Sequence, residues 1–440
     1  MRVEIYAVCL LMLGGGSATA NRAFASESWT LKRALNHVVA EAPDAKMAQL
    51  RYEKARAQWD EARSQWMPKV SAETGYAATD NPTQAFMFLL NQRQLTFGGD
   101  FNDPDVTDNW GSEIRLEYPL YLGGAREAGV RAANAGGAVS EHDLAAVRRQ
   151  LELNVARAYY QILQSREMVT AAKATLTSHQ GNLKLAKQLV DGGKALPTAV
   201  LDLDAQVAQA EANVVATEGQ RDIALAMLKT LLGLEGSEAF FVADGWTSLD
   251  WPGEVIGSSD RAEIMALQER AAQAEAGVEI AKSAKKPTVA AFASSRHDEG
   301  FTEPDGGNSW IAGVMVRLRL FDGGETSAKV AQAEADRAVV DEQLRKQRLQ
   351  IELEVKTAQL NLETARKRIT LAEKARKSAE ESLDLTRKRF EEGLVLSTQL
   401  IDAESALTGA RVHLSGARAE EQIALASLRH SLGLAIIDSK

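Results

Sequence analysis

Between Gly324 and Glu391 the chain carries no proline and no internal glycine. Its apolar residues Ile351, Val355, Ala358, Leu362, Ala365, Ile369 and Ala372 recur at spacings of four and three. That periodicity predicts a coiled-coil seam, interrupted near Arg376 and resumed at Ala379 and Leu383. Leu349, Leu353, Leu360 and Leu371 lie off the stripe, as on a helix that touches more than one neighbour. A helix of about 67 residues extends roughly 100 Å, longer than any compact domain.

Elsewhere the period falls to two. Ile114, Leu116, Tyr118 and Leu120 alternate with Glu113, Arg115 and Glu117. Trp310, Ala312, Val314, Val316, Leu318 and Leu320 alternate with a second face that includes Arg317 and Arg319. Val70, Ala72, Thr74, Tyr76 and Ala78 repeat the pattern more faintly, and 288–296 is weaker still. One apolar and one charged face suit either a wall between lipid and water or a soluble sheet with one solvated side.

These elements are written twice. Trp110 to Gly124 matches Trp310 to Gly324 at a shift of 200, and the match continues through Gly193/Gly393, Leu196/Leu396, Thr198/Thr398, Asp202/Asp402 and Leu232-Gly-Leu234/Leu432-Gly-Leu434. Upstream, Trp66-Met-Pro-Lys-Val70 pairs with Lys285-Lys-Pro-Thr-Val289, so the first copy carries extra residues between Pro68 and Trp110. Each copy reads as helix, two strands, long helix, turn, shorter helix. The repeats are expected at 26–235 and 260–440, joined by a linker at 236–259.

Residues 1–25 combine Arg2, a short apolar run from Ile5 to Leu13 and small-residue endings, the order of a signal peptide. The single cysteine, Cys9, lies inside it, leaving no thiol for a disulfide, thiolate metal site or nucleophile in the exported chain. No run is apolar for the roughly 18 residues a membrane helix needs, so insertion into a bilayer would be by strands. A net charge of −9 argues against a nucleic-acid partner. Four strands leave two open edges, which lipid cannot satisfy, so this reading requires several copies of the chain to close a barrel.

Tyr118-Pro-Leu-Tyr-Leu-Gly-Gly124, Leu320-Phe-Asp-Gly-Gly324, the two turns and the doubled Leu-Gly-Leu resemble the outer membrane efflux protein family, the TolC-like channel-tunnels. The resemblance implies a mainly α fold with a small β part. In a homotrimer, twelve strands would form a barrel in the outer membrane lipid of a Gram-negative bacterium, continued into the periplasm by a barrel of helices. It also implies a passive conduit served by a periplasmic adaptor and an inner membrane transporter, with no cofactor. Cargo would be small molecules, drugs or metals, with protein secretion as a further use of such conduits. The segment 81–108 would be an extracellular loop.

At the turns, Gly193 and Gly393 are placed to end the long helices in the left-handed region, Pro197 suits a first turn, and Ser397 or Thr398 can cap the returning helix. Asp202 and Asp402 follow closely enough to meet the positive end of the dipole. By resemblance, Gly193, Leu196, Thr198, Gly393, Leu396, Ser397 and Thr398 form the adaptor-docking tip. The family's gate aspartates correspond to Gln399 and Asp402, its arginine to Val395 and the acidic partner to Ala199. Only Asp402 survives, so the same ionic lock is absent and the resting tip is expected to be held mainly by apolar packing. The contrasting reading of the helices is an exported periplasmic coiled-coil rod or adaptor that never inserts.

Catalytic chemistry finds no foothold. The six histidines are dispersed; His297-Asp-Glu299 reads as a solvated hairpin loop, and Gly192-Gly-Lys194 lacks the first glycine and the Ser/Thr of a phosphate loop. Glu363 and Lys367 are spaced for helix support. No nucleophile, base and oxyanion site are grouped, so the chain is expected not to be an enzyme.

Overall fold

The computed structural model describes residues 28–96, 98, 100, 102–236, 240–243, 245–251, 261–301 and 306–437. The expected signal segment, with Cys9, and part of the linker lie outside the described residues.

The elements are α1 (Leu31–Glu41), α2 (Pro43–Ser64), β1 (Lys69–Thr79), α3 (Pro82–Asn91), β2 (Thr107–Leu122), α4 (Ala125–Asp191) and α5 (Pro197–Leu231), then α6 (Ala262–Ser283), β3 (Thr288–Glu299), β4 (Gly306–Arg317), α7 (Glu325–Glu391) and α8 (Ser397–Ser431). Both α4 and α7 have 67 residues, and both follow a glycine in the left-handed region, Gly124 (φ 90°) and Gly324 (φ 92°). At Gly123 a side chain would collide with the Ser283 carbonyl, at 2.6 Å from an ideal Cβ, so the strand-to-helix corner admits only glycine.

The strands form one antiparallel sheet in the order β1-β2-β3-β4, with a register shift between Pro119 and Tyr121. Across it, Val70, Leu116, Ala293 and Ala312 stand in one row, and Ala72, Ile114, Ser295 and Trp310 in the next row of the same face. The opposite face carries Glu73, Glu113, Arg296 and Ser309 in a row, with Arg115 beside them. Val70, Ile114, Trp310, Val314 and Val316 are all exposed on the apolar face, where Tyr76 also meets Trp110 and Phe301. An apolar band edged with aromatic rings is the lipid side of a membrane strand.

Three expectations change. β4 stops at Arg317, so Leu318 and Leu320 lie beyond it. β3 runs on through Glu299, so His297-Asp-Glu299 is strand rather than loop: it pairs with both β2 and β4, and Asp298 is buried. The segment 81–108 is more than a loop, since it contains α3.

The helices lie side by side. Near the sheet the neighbours run α2, α4, α6, α7; near the turns they run α5, α4, α8, α7. The seam residues Ile351, Ala358, Leu362 and Ala365 of α7 are buried. Midway along, α1, the central part of α4 and the ends of α5 and α8 enclose the main apolar core, which includes Tyr159, Tyr160, Leu228 and Leu428. The linker folds onto it: Tyr160 donates to the Thr247 carbonyl (2.6 Å) and Trp246 Nε1 to Glu167 (2.7 Å). A second apolar core, around Leu189, Leu203, Phe390, Leu400 and Leu407, lies at the turn end.

Candidate functional site at the helical tip

Each long helix ends in the same way. Gly193 (φ 70°) donates to the Val190 carbonyl and Lys194 to that of Leu189; Gly393 (φ 76°) donates to Phe390 and Leu394 to Arg389. These paired bonds satisfy the last carbonyls of α4 and α7 and require the left-handed residue that glycine supplies.

The returning helices start differently from expectation. Their N-caps are Leu196 and Leu396, with no side-chain cap; Ser397 is already the first helical residue. Its hydroxyl, buried, instead donates to Asp202 Oδ2 at 3.1 Å, joining the second hairpin to the first. Asp202 and Asp402 lie beyond the first turn of their helices, where the dipole's influence has decayed. Both aspartates are exposed.

The two turns touch. An added Cβ at Gly393 would stand 3.3 Å from the Lys194 carbonyl oxygen, and a cleft of about 330 Å³ opens between the turns. Leu196, Thr198, Gly393, Leu396, Ser397 and Gln399 line it, so the structure brings these six predicted residues together; Gly193, Thr398 and Asp402 lie outside the cleft. Leu196, Leu394 and Leu396 are largely exposed, giving the rim an apolar surface.

Just behind the tip lies a polar cluster that the sequence reading missed. Glu404, only 3% exposed, accepts from Asn182 Nδ2 (3.1 Å), from Arg387 Nη2 (2.9 Å) and from the Ser178 hydroxyl; Arg387 also donates to Ser178 Oγ (2.6 Å). This cluster ties α4, α7 and α8 together, and one turn on Thr175 and Thr408 hydroxyls meet at 2.8 Å. The tip is therefore held by partly buried ionic and hydroxyl contacts as well as by apolar packing. Burial holds the His179 imidazole below its ordinary range, with Glu404 pulling the other way. The one available signal was a glutamate between Leu400 and Leu407, at a position where a seam residue belongs.

Among the described residues no group of His, Cys, Asp and Glu is arranged to hold a metal, and no helix is long and apolar enough to cross a membrane. What the geometry offers is a wall: an amphipathic antiparallel sheet running straight into a sheet-like layer of long helices that ends in paired turns.

That wall is the protomer of a channel-tunnel. The family model for outer membrane efflux proteins matches residues 34–234 and 258–434, and the chain belongs to that family. The pyoverdine export outer membrane protein OpmQ of Pseudomonas aeruginosa is 24% identical over 411 residues, covering 91% of this chain and 83% of the relative. The outer membrane protein TolC of Vibrio cholerae is 24% identical over 377 residues, 81% of this chain and 85% of its own. The solved structure of the outer membrane protein VceC from Vibrio cholerae superposes with a TM-score of 0.76 at 20% identity, covering 92% of this chain and 96% of that one. The protein is thus an outer membrane efflux channel with a long periplasmic extension, in a family made up of channel proteins.

Proposed function

We propose that three copies of this chain assemble into the passive exit duct of a tripartite exporter, taking cargo from an inner membrane transporter and a periplasmic adaptor. The observation that supports this best is that sheet and helices are left open on matching sides. β1 and β4 bound the sheet, α2 and α7 bound the helical layer beside it, and α5 and α7 bound the layer at the turns. On those bounding helices Leu353, Leu360 and Leu371 of α7 and Leu201, Val215 and Met227 of α5 are exposed. Backbone edges in lipid and apolar stripes in water both need a partner of complementary shape, and neighbouring copies supply one at every level at once.

In this reading the charged sheet face lines water, the apolar face meets lipid, and the paired turns form the adaptor-docking rim. Gln399, in the cleft, and Asp402, exposed on α8, are the residues proposed to line the constriction at that end. The name of the OpmQ relative supports export of a small molecule.

The test is a cysteine placed at Leu396, in a chain whose only native cysteine is Cys9. Detergent-extracted protein should be a heat-modifiable trimer that conducts ions in planar bilayers. In cells, a bifunctional reagent at position 396 should capture a periplasmic adaptor. A monomer soluble without detergent would instead fit an exported rod and end the proposal.

A further inference from the structure

α3 has no counterpart in the second half of the chain, where no helix is described between β3 and β4. It is locally well specified: Asn81 Oδ1 accepts from the N–H of Thr83 (3.1 Å) and Gln84 (3.3 Å), and Pro82 occupies its first turn. Just past its C-cap, Gln92, stands Arg93, whose φ of 60° is the only positive value of a non-glycine among the described residues. Side chains disfavour that conformation, and it persists where surrounding contacts enforce it.

Here those contacts fix α3 to one side of the sheet. Gln92, 2% exposed, donates through Nε2 to Asn109 Oδ1 (2.8 Å) and to the Asp108 carbonyl (2.7 Å) of β2. Asn109 donates to Asp298 Oδ1 (2.7 Å) of β3, and Arg296 holds the same carboxylate at 2.9 Å. Arg93 donates to the Asn308 carbonyl (2.9 Å) of β4. The Asn91 carbonyl fills the space of a Cβ at Gly307, the register partner of Asp298. By strand alternation Asn109, Arg296, Asp298 and Gly307 share the face of Glu113 and Arg115.

The chain thus folds back over the charged face at the end of the sheet away from the helices. Ala85 and Gln92, seven residues apart, are both buried on the anchored side. Met87 and Leu90 fall on the opposite side of the helix by its 3.6-residue period, and both are exposed.

We propose that α3 is a fixed narrowing of the outer mouth of the pore, which restricts the exit to small, partly apolar cargo. This rests on the duct reading above, in which the charged face is the pore face and three chains close the barrel. Twelve strands about 4.8 Å apart and tilted by about 40° enclose a cylinder about 24 Å across between backbones. A helix is about 10 Å thick with its side chains. Three such helices on the inside of that cylinder cannot leave its full bore open. Their free residues, Met87 and Leu90, give the constriction an apolar lining, which resists wetting and favours solutes able to displace water from it.

The test compares the parent oligomer in planar bilayers with a variant in which 82–93 is replaced by a short Gly/Asn/Ser turn. Single-channel conductance should rise about twofold or more in the variant. In case the replacement fails to assemble, Met87→Cys in the otherwise intact chain provides a second reading: a bulky maleimide added on the outer side should cut its conductance by at least about half. A parent that conducts, with unchanged conductance in the replacement or in the modified Met87→Cys protein, would overturn the role of α3 alone. A parent that does not conduct would overturn the duct reading and this inference with it.

Discussion

Arg387 of α7 and Glu404 of α8 form an ion pair of 2.9 Å in which the carboxylate is 4% exposed and the guanidinium 37%. The pair is asymmetric: removing the arginine leaves a buried anion with only Ser178 and Asn182 as donors. Arg387→Ala is therefore expected to destabilise the tip by about 2–3 kcal/mol, near the low end for a broken buried pair because the arginine is partly wetted. The double replacement Arg387→Met with Glu404→Leu should recover most of that loss. Thermal unfolding of the detergent-solubilised oligomer measures both, and equal loss in the single and double variants would show that the pair acts through something other than burial of charge.

The two tip glycines share a conformation but not a neighbourhood. Gly193→Ala meets no atom within 4 Å and should cost about 1 kcal/mol, from the positive φ alone. Gly393→Ala adds a methyl 3.3 Å from the Lys194 carbonyl and should cost more. The difference in melting temperature between the two variants isolates the contact between hairpins.

Leu353 and Leu360 are 67% and 50% exposed within the chain. Leu353→Glu with Leu360→Glu leaves the buried seam of Ile351, Ala358 and Leu362 untouched. The expected result is loss of the oligomer on size-exclusion chromatography with helical circular dichroism retained. An oligomer of unchanged size would place the subunit contact elsewhere.

Acid should weaken the helical layer before it reaches the carboxylates. His430 is held below the ordinary imidazole range by burial and by Arg261, against Glu263 and Glu354, with Arg157 adding to the lowering; His179 is held down by burial. In both cases the unfolded chain takes up a proton at a pH where the folded one does not. Their contribution is intact above about pH 6.5 and is lost as the pH falls below it. His430→Gln should flatten the fall in melting temperature between about pH 7 and pH 5.

Much of this fold was legible because it is periodic. The seam from Ile351 to Ala365 and the glycines at 193 and 393 are local features, and a shift of 200 between copies repeats them. The Glu404 cluster was not legible, because Ser178, Asn182 and Arg387 reach it from two other helices and its nearest partner in sequence is 17 positions away. Capping by Ser397 failed as an expectation because its hydroxyl found Asp202 across the hairpins, a tertiary contact that a local rule cannot see. α3 was signalled by Asn81-Pro82, a helix-start pair, but was hidden by reading an insertion without a counterpart as loop. His297 to Glu299 reads as a solvated loop from the sequence, yet it is strand. Of the three only Asp298 is buried, and the donor that satisfies it there, Asn109, lies 189 positions earlier in the chain.

The matched 67-residue spans of α4 and α7 make the protein a gauge of distance as well as a wall. Lengthening one span alone would shear Gly193 away from Gly393 and split the rim, whereas adding the same whole number of heptads to both on the rim side of the core, matched in the returning helices α5 and α8, would carry an unchanged rim deeper. Reach across the periplasm can therefore be altered without altering the rim's own geometry, provided both halves of the duplicated chain change in step.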